Sequence, residues 1–335
     1  MSQKQILLMN IGTPQQADAF SVYRYLKEFL SDARVVDLPW IVRWPLVNLL
    51  ILPFRYKKST AAYQQIWQDS GSPLLIHSQG LQQALSSVLG PEYQVEIAMR
   101  YGQPSIEEAL KKFKTLTSLT VLPLFPQYSS AATGSAIAAL LNILSKQTHL
   151  PDLHIYHQFY NHPGFIAAYA DIIKQHCADT KPDLILFSYH GLPERHIHTN
   201  HCETHCDQQQ TCPARTSHPI DCYRAACYAT SQLIATSLQL TPHQYRVSFQ
   251  SRLGRTPWIK PYTDLVLPEL IQQGVKHLAI VCPSFVADCL ETLEEINIRA
   301  REQWSALGGT QFTFIPCLND SPLWVNAVAD MVLKK

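Results

Sequence analysis

The stretch DLILFSYHGLP, residues 183–193, decides the fold class of this chain. An apolar run leads into a Tyr-His pair and then a turn at Gly191 and Pro193, so the stretch predicts a buried strand that ends at His190. The chain opens with a stretch of the same form, QILLMNIGTP at residues 5–14. Apolar strands of this kind are typical of parallel sheets with helices on their faces.

Two further pairs of strand ends match in the same order. They are MRYG (99–102) with QSRLG (250–254), and LPLF (122–125) with CPSF (282–285). Strands often end in Gly and Pro, so chance is the alternative, but the shared order favours two similar halves. We assign the halves to residues 1–160 and 161–335. A ligand is then expected in the cleft between them, at the carboxyl ends of the strands.

Strand and helix patterns alternate along the whole chain. Amphipathic patterns at 106–116 and 289–304 predict helices. The predicted strands are 4–10, 94–101, 119–125, 153–159, 183–189, 245–250, 277–285 and 311–318. This alternation predicts an α/β fold with mostly parallel sheets and two Rossmann-like halves.

The composition excludes several classes of partner. Among the 335 residues, 27 Lys and Arg balance 26 Asp and Glu, so nothing indicates a nucleic-acid partner. No secretory signal opens the chain and no apolar run is long enough to span a bilayer, so we expect a cytoplasmic protein. The oligomeric state does not follow from the sequence.

The run LPWIVRWPLVNLLILPF, residues 38–54, is the most apolar part of the chain. It contains Arg43 and three prolines. One interpretation is a buried irregular helix; the other is an exposed apolar lip that contacts a bilayer or an apolar ligand. The composition favours neither.

Two constellations could carry chemistry. His190 follows a predicted strand, where a rigid imidazole can accept a proton or bind a metal, although an isolated histidine there more often only caps the strand. Asp288, Glu291 and Glu295 are spaced by three and four, so they share one face of a helix predicted to begin near Asp288. The helix dipole explains such acids in part; the alternative is a path of carboxylates for protons or cations.

A cysteine-rich segment lies at 198–227. Its first four cysteines follow the pattern C-x3-C-x5-C-x9-C and are Cys202, Cys206, Cys212 and Cys222. Exposed free thiols oxidise, so a metal is the better explanation. An iron–sulfur cluster suits four thiolates, whereas zinc would also accept His201 or His205.

Four segments resemble the signature sequences of ferrochelatases. They are LLMNIGTP (7–14), FSYHGLPERH (187–196), VSFQSRLGRTPWIKPYTD (247–264) and CPSFVADCLETLEEI (282–296). The resemblance implies the type II chelatase fold and insertion of Fe²⁺ into protoporphyrin IX, the last step of haem synthesis. It also implies that the 38–54 lip faces a membrane, which would make the protein peripheral on its cytoplasmic face.

The resemblance also assigns roles to residues. It makes His190 and Glu291 the catalytic pair and the ligands of the substrate iron, with Asp288 and Glu295 as a path beside them. The residues that it assigns to porphyrin binding are Ile11, Arg100, Tyr101, Gln250, Ser251 and Trp258.

The chain departs from the animal enzymes of this family at two points. Cys289 stands where many of them have a histidine, and their C-terminal cysteine triplet is missing. The segment after His190 instead resembles the internal [2Fe-2S] type of some bacterial members. We therefore assign the cluster to Cys202, Cys206, Cys212 and Cys222, with Cys227 in reserve.

Four other activities are the alternatives. A cobaltochelatase would share the fold, but the apolar lip argues against it, because acid-rich tetrapyrroles need more basic pockets. A coproporphyrin ferrochelatase would also share the fold, and only the family resemblance and the lip favour protoporphyrin over coproporphyrin. A non-catalytic haem-binding protein has no use for a carboxylate path. An iron–sulfur electron carrier would need only the cysteine segment.

Overall fold

The structure, a computed structural model, describes residues 3–198, 222–254 and 256–334. The chain divides into two compact units. Unit 1 comprises Met1–Gln158 and Asn319–Lys335, and unit 2 comprises Phe159–Leu318.

Unit 1 is built on a four-stranded sheet in the order β2-β1-β3-β4, and all neighbouring strands are parallel. The strands are β1 (Lys4–Thr13), β2 (Tyr93–Gly102), β3 (Ser118–Pro123) and β4 (Asp152–Ile155). The helices before β4 are α1 (Ala19–Ser31), α2 (Trp40–Pro45), π1 (Leu46–Ile51), α3 (Leu52–Ile66), α4 (Pro73–Leu89), α5 (Ile106–Lys111), π2 (Ser130–Gly134) and α6 (Ser135–Leu144). Apolar side chains of β1, β2 and β3 pack against α5 and α6 to form the core.

Unit 2 repeats this topology with the order β6-β5-β7-β8, again all parallel. Its strands are β5 (Leu184–His190), β6 (Tyr245–Gln250), β7 (His277–Val281) and β8 (Gln311–Phe314). Its helices are α7 (Pro163–Cys177), α8 (Arg195–His198), α9 (Tyr223–Ser237), α10 (Thr263–Gln272), π3 (Glu291–Ala300) and α11 (Arg301–Ala306). Each strand thus has its counterpart in unit 1, and the predicted duplication is present in the sheet order.

The last helix, α12 (Pro322–Leu333), belongs to unit 1 although the sequence division put it in the second half. It packs on α4, where Gly80 leaves room for Asp320: a Cβ at Gly80 would lie 3.0 Å from the Asp320 carboxylate. Unit 1 is therefore completed by a segment that follows unit 2 in the chain.

The strand end at Gly12 shows why the repeated sequence needs a glycine there. Gly12 has a φ of +109°, and a Cβ on it would lie 1.8 Å from the Tyr101 carbonyl oxygen of β2. Only glycine permits that backbone conformation and so close an approach.

All eight predicted strands are present, whereas both predicted helices differ. The predicted helix at 106–116 ends at Lys111, as α5. The segment 289–304 forms the π-helix π3, which starts at Glu291 and not near Asp288, followed by the short α11. Helices with i→i+5 hydrogen bonds are rare in proteins, and those that occur are often found at functional sites. Among the described residues, no helix is long and apolar enough to cross a membrane.

Candidate active site

The sheet order of unit 2 creates a crevice at the carboxyl end of β5. The chain leaves β5 for β6 on one side and later adds β7 on the other, so β5 lies at the switch point where open α/β sheets bind ligands. His190 is the last residue of β5, and π3 follows β7. The topology alone brings the predicted histidine and the predicted acidic helix to the same edge of one sheet.

The His190 imidazole is half-buried and has a defined tautomer. Its Nδ1 lies 2.6 Å from the carbonyl oxygen of Gly191. Because a carbonyl oxygen only accepts, Nδ1 carries the hydrogen and Nε2 presents the lone pair. The ring also contacts Phe285, with centroids 6.1 Å apart. His190 therefore offers one basic nitrogen from a rigid strand end.

Gly191 allows the chain to turn tightly after His190. A Cβ on Gly191 would lie 2.7 Å from the Gln250 carbonyl oxygen and 3.3 Å from the Trp258 ring. Trp258 is half-buried and donates from its indole nitrogen to the Leu253 carbonyl oxygen at 2.8 Å. The predicted porphyrin-binding residue Trp258 is thus packed directly over the turn that follows the histidine.

Gln250 joins the strand ends to π3. Its side-chain oxygen accepts from the Ser188 hydroxyl at 2.8 Å, and its Nε2 donates to the Glu291 carbonyl oxygen at 2.8 Å and, more weakly, to the Glu295 carboxylate at 3.4 Å. Gln250 is also the register partner of His190 across β5 and β6. Only 3 % of the Gln250 surface is exposed, so this side chain offers little surface to a ligand and hydrogen-bonds other parts of the protein instead.

Glu295 is fixed by the turn after β6. One carboxylate oxygen accepts from the Ser251 backbone N–H at 2.8 Å, and the other accepts from the Ser251 hydroxyl. Ser251 holds a φ of +67°, which costs a non-glycine residue about 1–3 kcal/mol. The predicted pocket residue Ser251 therefore adopts an unfavourable conformation in which both of its donors meet this acid.

Glu291 is half-buried at the start of π3 and hydrogen-bonds the Cys289 thiol. Burial, together with the charge of Glu291, raises the pKa of Cys289 well above its usual value. Cys289 stays a neutral thiol, so it acts as a donor to Glu291.

Asp288 does not share the helix face of the other two acids. It lies before π3, is 4 % exposed, and accepts from the Thr292 hydroxyl at 3.0 Å and from the Cys317 backbone N–H at 3.2 Å. These two donors hold the Asp288 carboxylate inside unit 2, and the helix therefore begins after it. The predicted stripe of three carboxylates is thus a buried acid followed by two acids on a π-helix.

The predicted pocket residues of unit 1 form a separate network. Asp32 accepts hydrogen bonds from Arg100 at 2.6 Å, from the Tyr101 hydroxyl at 2.9 Å and from the Ser135 hydroxyl. Arg100 keeps a fifth of its side chain exposed, whereas Tyr101 is fully buried. Of this pair only Arg100 has surface for a ligand. Ile11, in β1, is half-buried.

Charge and burial act on this network in opposite directions. Burial tends to raise the pKa of Asp32, but the hydrogen bonds from Ser135, the Arg34 backbone and Tyr101, together with the Arg100 charge, bring it below its usual value. Burial raises the pKa of Tyr101 far above its usual value. Asp32 is thus ionised and Tyr101 neutral over the working range of pH. Sequence reasoning missed Asp32, because the side chains that donate to it lie 68 residues or more away along the chain.

Most of the apolar run at 38–54 is exposed, although Val47 and Leu52 are buried. It forms α2, π1 and the start of α3, with Ile41 79 % and Phe54 77 % exposed. The other large apolar side chains exposed along it are Trp40, Val42, Trp44, Leu49 and Leu50. The interpretation as an apolar lip is therefore the one that agrees with the structure.

Most of the predicted cluster ligands lie outside the described residues. Cys202, Cys206 and Cys212 fall between 199 and 221, whereas Cys222 is a buried free thiol at the N-cap of α9 and Cys227 is buried within that helix. In the described parts of the chain, no group of three or more His, Cys, Asp or Glu side chains could hold a metal ion.

Comparisons with solved structures support the fold. SirB from Bacillus subtilis with Fe³⁺ superposes with a TM-score of 0.53 at 14 % identity, covering 99 % of this chain and 95 % of that one. CbiX, described as the terminal enzyme for biosynthesis of siroheme in denitrifying bacteria, gives a TM-score of 0.50 at 12 % identity over 98 % of both chains. These likenesses concern the fold alone and confirm the predicted two-sheet chelatase architecture.

Comparisons of sequence establish the family. The ferrochelatase family profile matches residues 3–335. A ferrochelatase from Legionella pneumophila (strain Lens) is 55 % identical over 98 % of both chains. One from Coxiella burnetii (strain CbuG_Q212) is 48 % identical over 98 % of this chain and 93 % of its own. The chain therefore belongs to the ferrochelatase family and is a metal chelatase of the lyase class.

Proposed function

We propose that this chain inserts Fe²⁺ into protoporphyrin IX to form protohaem. One observation carries the assignment of the chemistry: Gln250 ties the strand end that carries His190 to the helix that carries Glu291. A base on one element and a carboxylate on the other are thereby held together at the switch point of unit 2.

Metal insertion requires removal of the two N–H protons at the porphyrin centre, distortion of the ring, and loss of water from the iron. His190 Nε2, whose lone pair is free of the Gly191 hydrogen bond, would accept pyrrole protons. Apolar contacts spread over the face of the ring would favour the distorted shape in which the nitrogen lone pairs point out of its plane.

The carboxylates of π3 and its N-terminal side would carry protons away and deliver the iron. Glu291, on the half-buried surface of π3, would receive protons or present Fe²⁺ through a hard oxygen donor that releases it easily. His190 and Glu291 are the proposed last ligands of the substrate iron. Glu295 accepts hydrogen bonds from Gln250 and Ser251, and Asp288 accepts them from Thr292 and Cys317. Both acids are therefore better suited to relay protons or shape the local electrostatic field than to bind iron strongly.

Protoporphyrin is favoured over more acidic tetrapyrroles by the exposed apolar lip at 38–54. An assay of zinc and iron insertion tests this preference for protoporphyrin. It compares protoporphyrin IX, coproporphyrin III and a more acidic tetrapyrrole of the kind that cobaltochelatases use. We expect protoporphyrin to give the highest kcat/KM. Faster metal insertion into coproporphyrin would show that coproporphyrin is the preferred substrate. Binding of haem without any metal insertion would show that the protein carries haem and does not make it.

The lip further supports a peripheral membrane association of a cytoplasmic enzyme. Seven large apolar side chains on consecutive helical turns would enter the headgroup region of a bilayer, which removes their surface from water. A hydrophobic product such as protohaem could be released to the same surface.

We also propose a [2Fe-2S] cluster on Cys202, Cys206, Cys212 and Cys222, with zinc as the alternative metal. The support is the chemistry of the donor set: four thiolates within 21 residues of one polar segment suit a cluster. Cys222 fits such a role, since it is a free thiol at the start of a helix. Insertion transfers no net electron, so the cluster would serve structure or sensing.

A further inference from the structure

Strand β5 extends beyond one of its neighbours. Its last register pair with β7 is Phe187 with Val281, whereas on the other side it pairs with β6 as far as His190 with Gln250. The backbone N–H and C=O groups of His190 that face the β7 side therefore have no strand to bond to. Buried backbone polar groups without partners are costly, so other groups must replace the missing strand.

Two hydroxyl groups fill this gap. The His190 N–H donates to the Ser284 hydroxyl oxygen at 3.0 Å, and the Tyr223 hydroxyl donates to the His190 carbonyl oxygen at 2.7 Å. The Ser284 hydroxyl in turn hydrogen-bonds the Tyr223 side chain. The three residues form a closed ring of hydrogen bonds around the His190 peptide groups.

The Tyr223 hydroxyl is well suited to this task. Tyr223 is the first residue of α9 and is 8 % exposed. Because a carbonyl oxygen only accepts, the Tyr223 hydroxyl is the donor of its hydrogen bond to His190. Its phenol ring leaves few rotatable bonds between the helix and the hydrogen bond.

We propose that Tyr223, together with Ser284, is a positioning residue of the insertion reaction, because it fixes the main chain from which the His190 imidazole projects. This inference rests on the proposed role of His190 as proton acceptor. A base that is displaced by a fraction of an ångström transfers protons less efficiently, whereas the porphyrin-binding surface is unaffected. The loss should therefore appear in kcat and not in KM.

Tyr223→Phe tests this inference, and Tyr189→Phe is its matched control. Tyr189 is also a buried tyrosine of unit 2, and its hydroxyl hydrogen-bonds the Ser231 hydroxyl at 2.7 Å and the Thr230 side chain. Removing either hydroxyl deletes more than one buried hydrogen bond, so both variants should lose stability. We expect kcat to fall about tenfold in Tyr223→Phe and less than about twofold in Tyr189→Phe, with the porphyrin KM unchanged in both.

The outcomes separate this inference from the proposed function. Equal kcat values for the two phenylalanine variants, with His190→Ala inactive, would overturn the positioning role alone. Substantial turnover by folded His190→Ala would overturn the role of His190 and the inference with it. If Tyr223→Phe does not fold, Ser284→Ala decides: a reduced kcat at constant KM supports the ring of hydrogen bonds, and an unchanged kcat overturns it.

Discussion

Replacing Gln250 by leucine distinguishes two possible roles of this side chain, namely a hydrogen-bonded link between the strand ends and π3, and a contact with the porphyrin. The side chain is buried and makes two good hydrogen bonds, accepting from Ser188 and donating to the Glu291 carbonyl oxygen, both at 2.8 Å. Leucine has nearly the same size and can make neither. Ser188 keeps its bond to Thr263 at 2.9 Å, and the weak Cys282 thiol donor, 3.6 Å from the Gln250 side-chain oxygen, loses its acceptor.

The magnitude follows from the number of bonds lost. A neutral buried hydrogen bond contributes about 1 kcal/mol net, so the free energy of unfolding should fall by about 2 kcal/mol. In a domain of this size 1 kcal/mol lowers Tm by roughly 2–4 °C, which predicts a decrease of about 4–8 °C. Because Glu291 loses its tie to the strand that carries His190, kcat should fall about tenfold while the porphyrin KM stays constant.

Scanning calorimetry and steady-state zinc insertion measure these quantities. The matched control is Gln82→Leu, which removes a half-buried amide that donates to the Val95 carbonyl oxygen at 2.8 Å in unit 1. It should lower Tm without changing kcat. An increase in KM of Gln250→Leu with Tm unchanged would refute the reasoning and make Gln250 a porphyrin contact, as the family resemblance predicts.

Four further predictions concern other parts of the molecule. Glu291→Gln should reduce kcat strongly and Glu295→Gln less so, and equal mild losses would mean that both acids serve only the helix dipole. Asp32→Asn should make the free energy of unfolding less dependent on pH in the acid range. The lowered pKa of Asp32 contributes stability above about pH 4, and this stability is lost as the pH falls through the folded-state value. In acid titrations followed by circular dichroism, wild type should therefore lose more stability than the variant between about pH 5 and pH 3. The double substitution Trp40→Asp and Trp44→Asp should weaken pelleting of the protein with liposomes, relative to the control Trp67→Asp outside the lip. Unchanged pelleting would show that the lip does not bind membranes. The purified protein should show [2Fe-2S] absorption that Cys222→Ser removes and Cys227→Ser keeps; a colourless protein with one zinc per chain would contradict the cluster.

Much of the fold could be predicted because it depends on local patterns. Buried parallel strands are continuous apolar runs, and each ended in a turn sequence that marked its boundary. The duplication was visible in matched strand ends and reappears as the same sheet order in both units. Helix α12 could not be assigned in this way, because its packing on α4 depends on contacts between distant parts of the chain.

The site was predicted in its residues but not in its geometry. The spacing of Asp288, Glu291 and Glu295 suits one face of an α-helix, yet Asp288 is held inside unit 2 by Thr292 and Cys317 before a π-helix begins. No sequence pattern predicts that change, because it depends on a backbone N–H donated from 29 residues away.

The hydroxyl groups around His190 escaped sequence reasoning for a similar reason. Tyr223 lies 33 residues and Ser284 94 residues from His190, and neither residue type in isolation indicates a hydrogen bond to a strand end. The available signal was indirect: β5 was predicted to be followed by a glycine turn, so its last peptide groups had to find partners outside the sheet.

The most direct test of the account is metal insertion by His190→Ala. The variant should keep the circular dichroism spectrum and, within about 1–2 kcal/mol, the stability of wild type, because the side chain is half-buried and its Nδ1 hydrogen-bonds the carbonyl oxygen of the next residue. Zinc and iron insertion into protoporphyrin IX should be abolished, since His190 is the proposed acceptor of the pyrrole protons. Turnover above about a tenth of the wild-type rate in the folded variant, well short of the 10²–10⁴-fold loss expected for a general base, would contradict the catalytic role of His190.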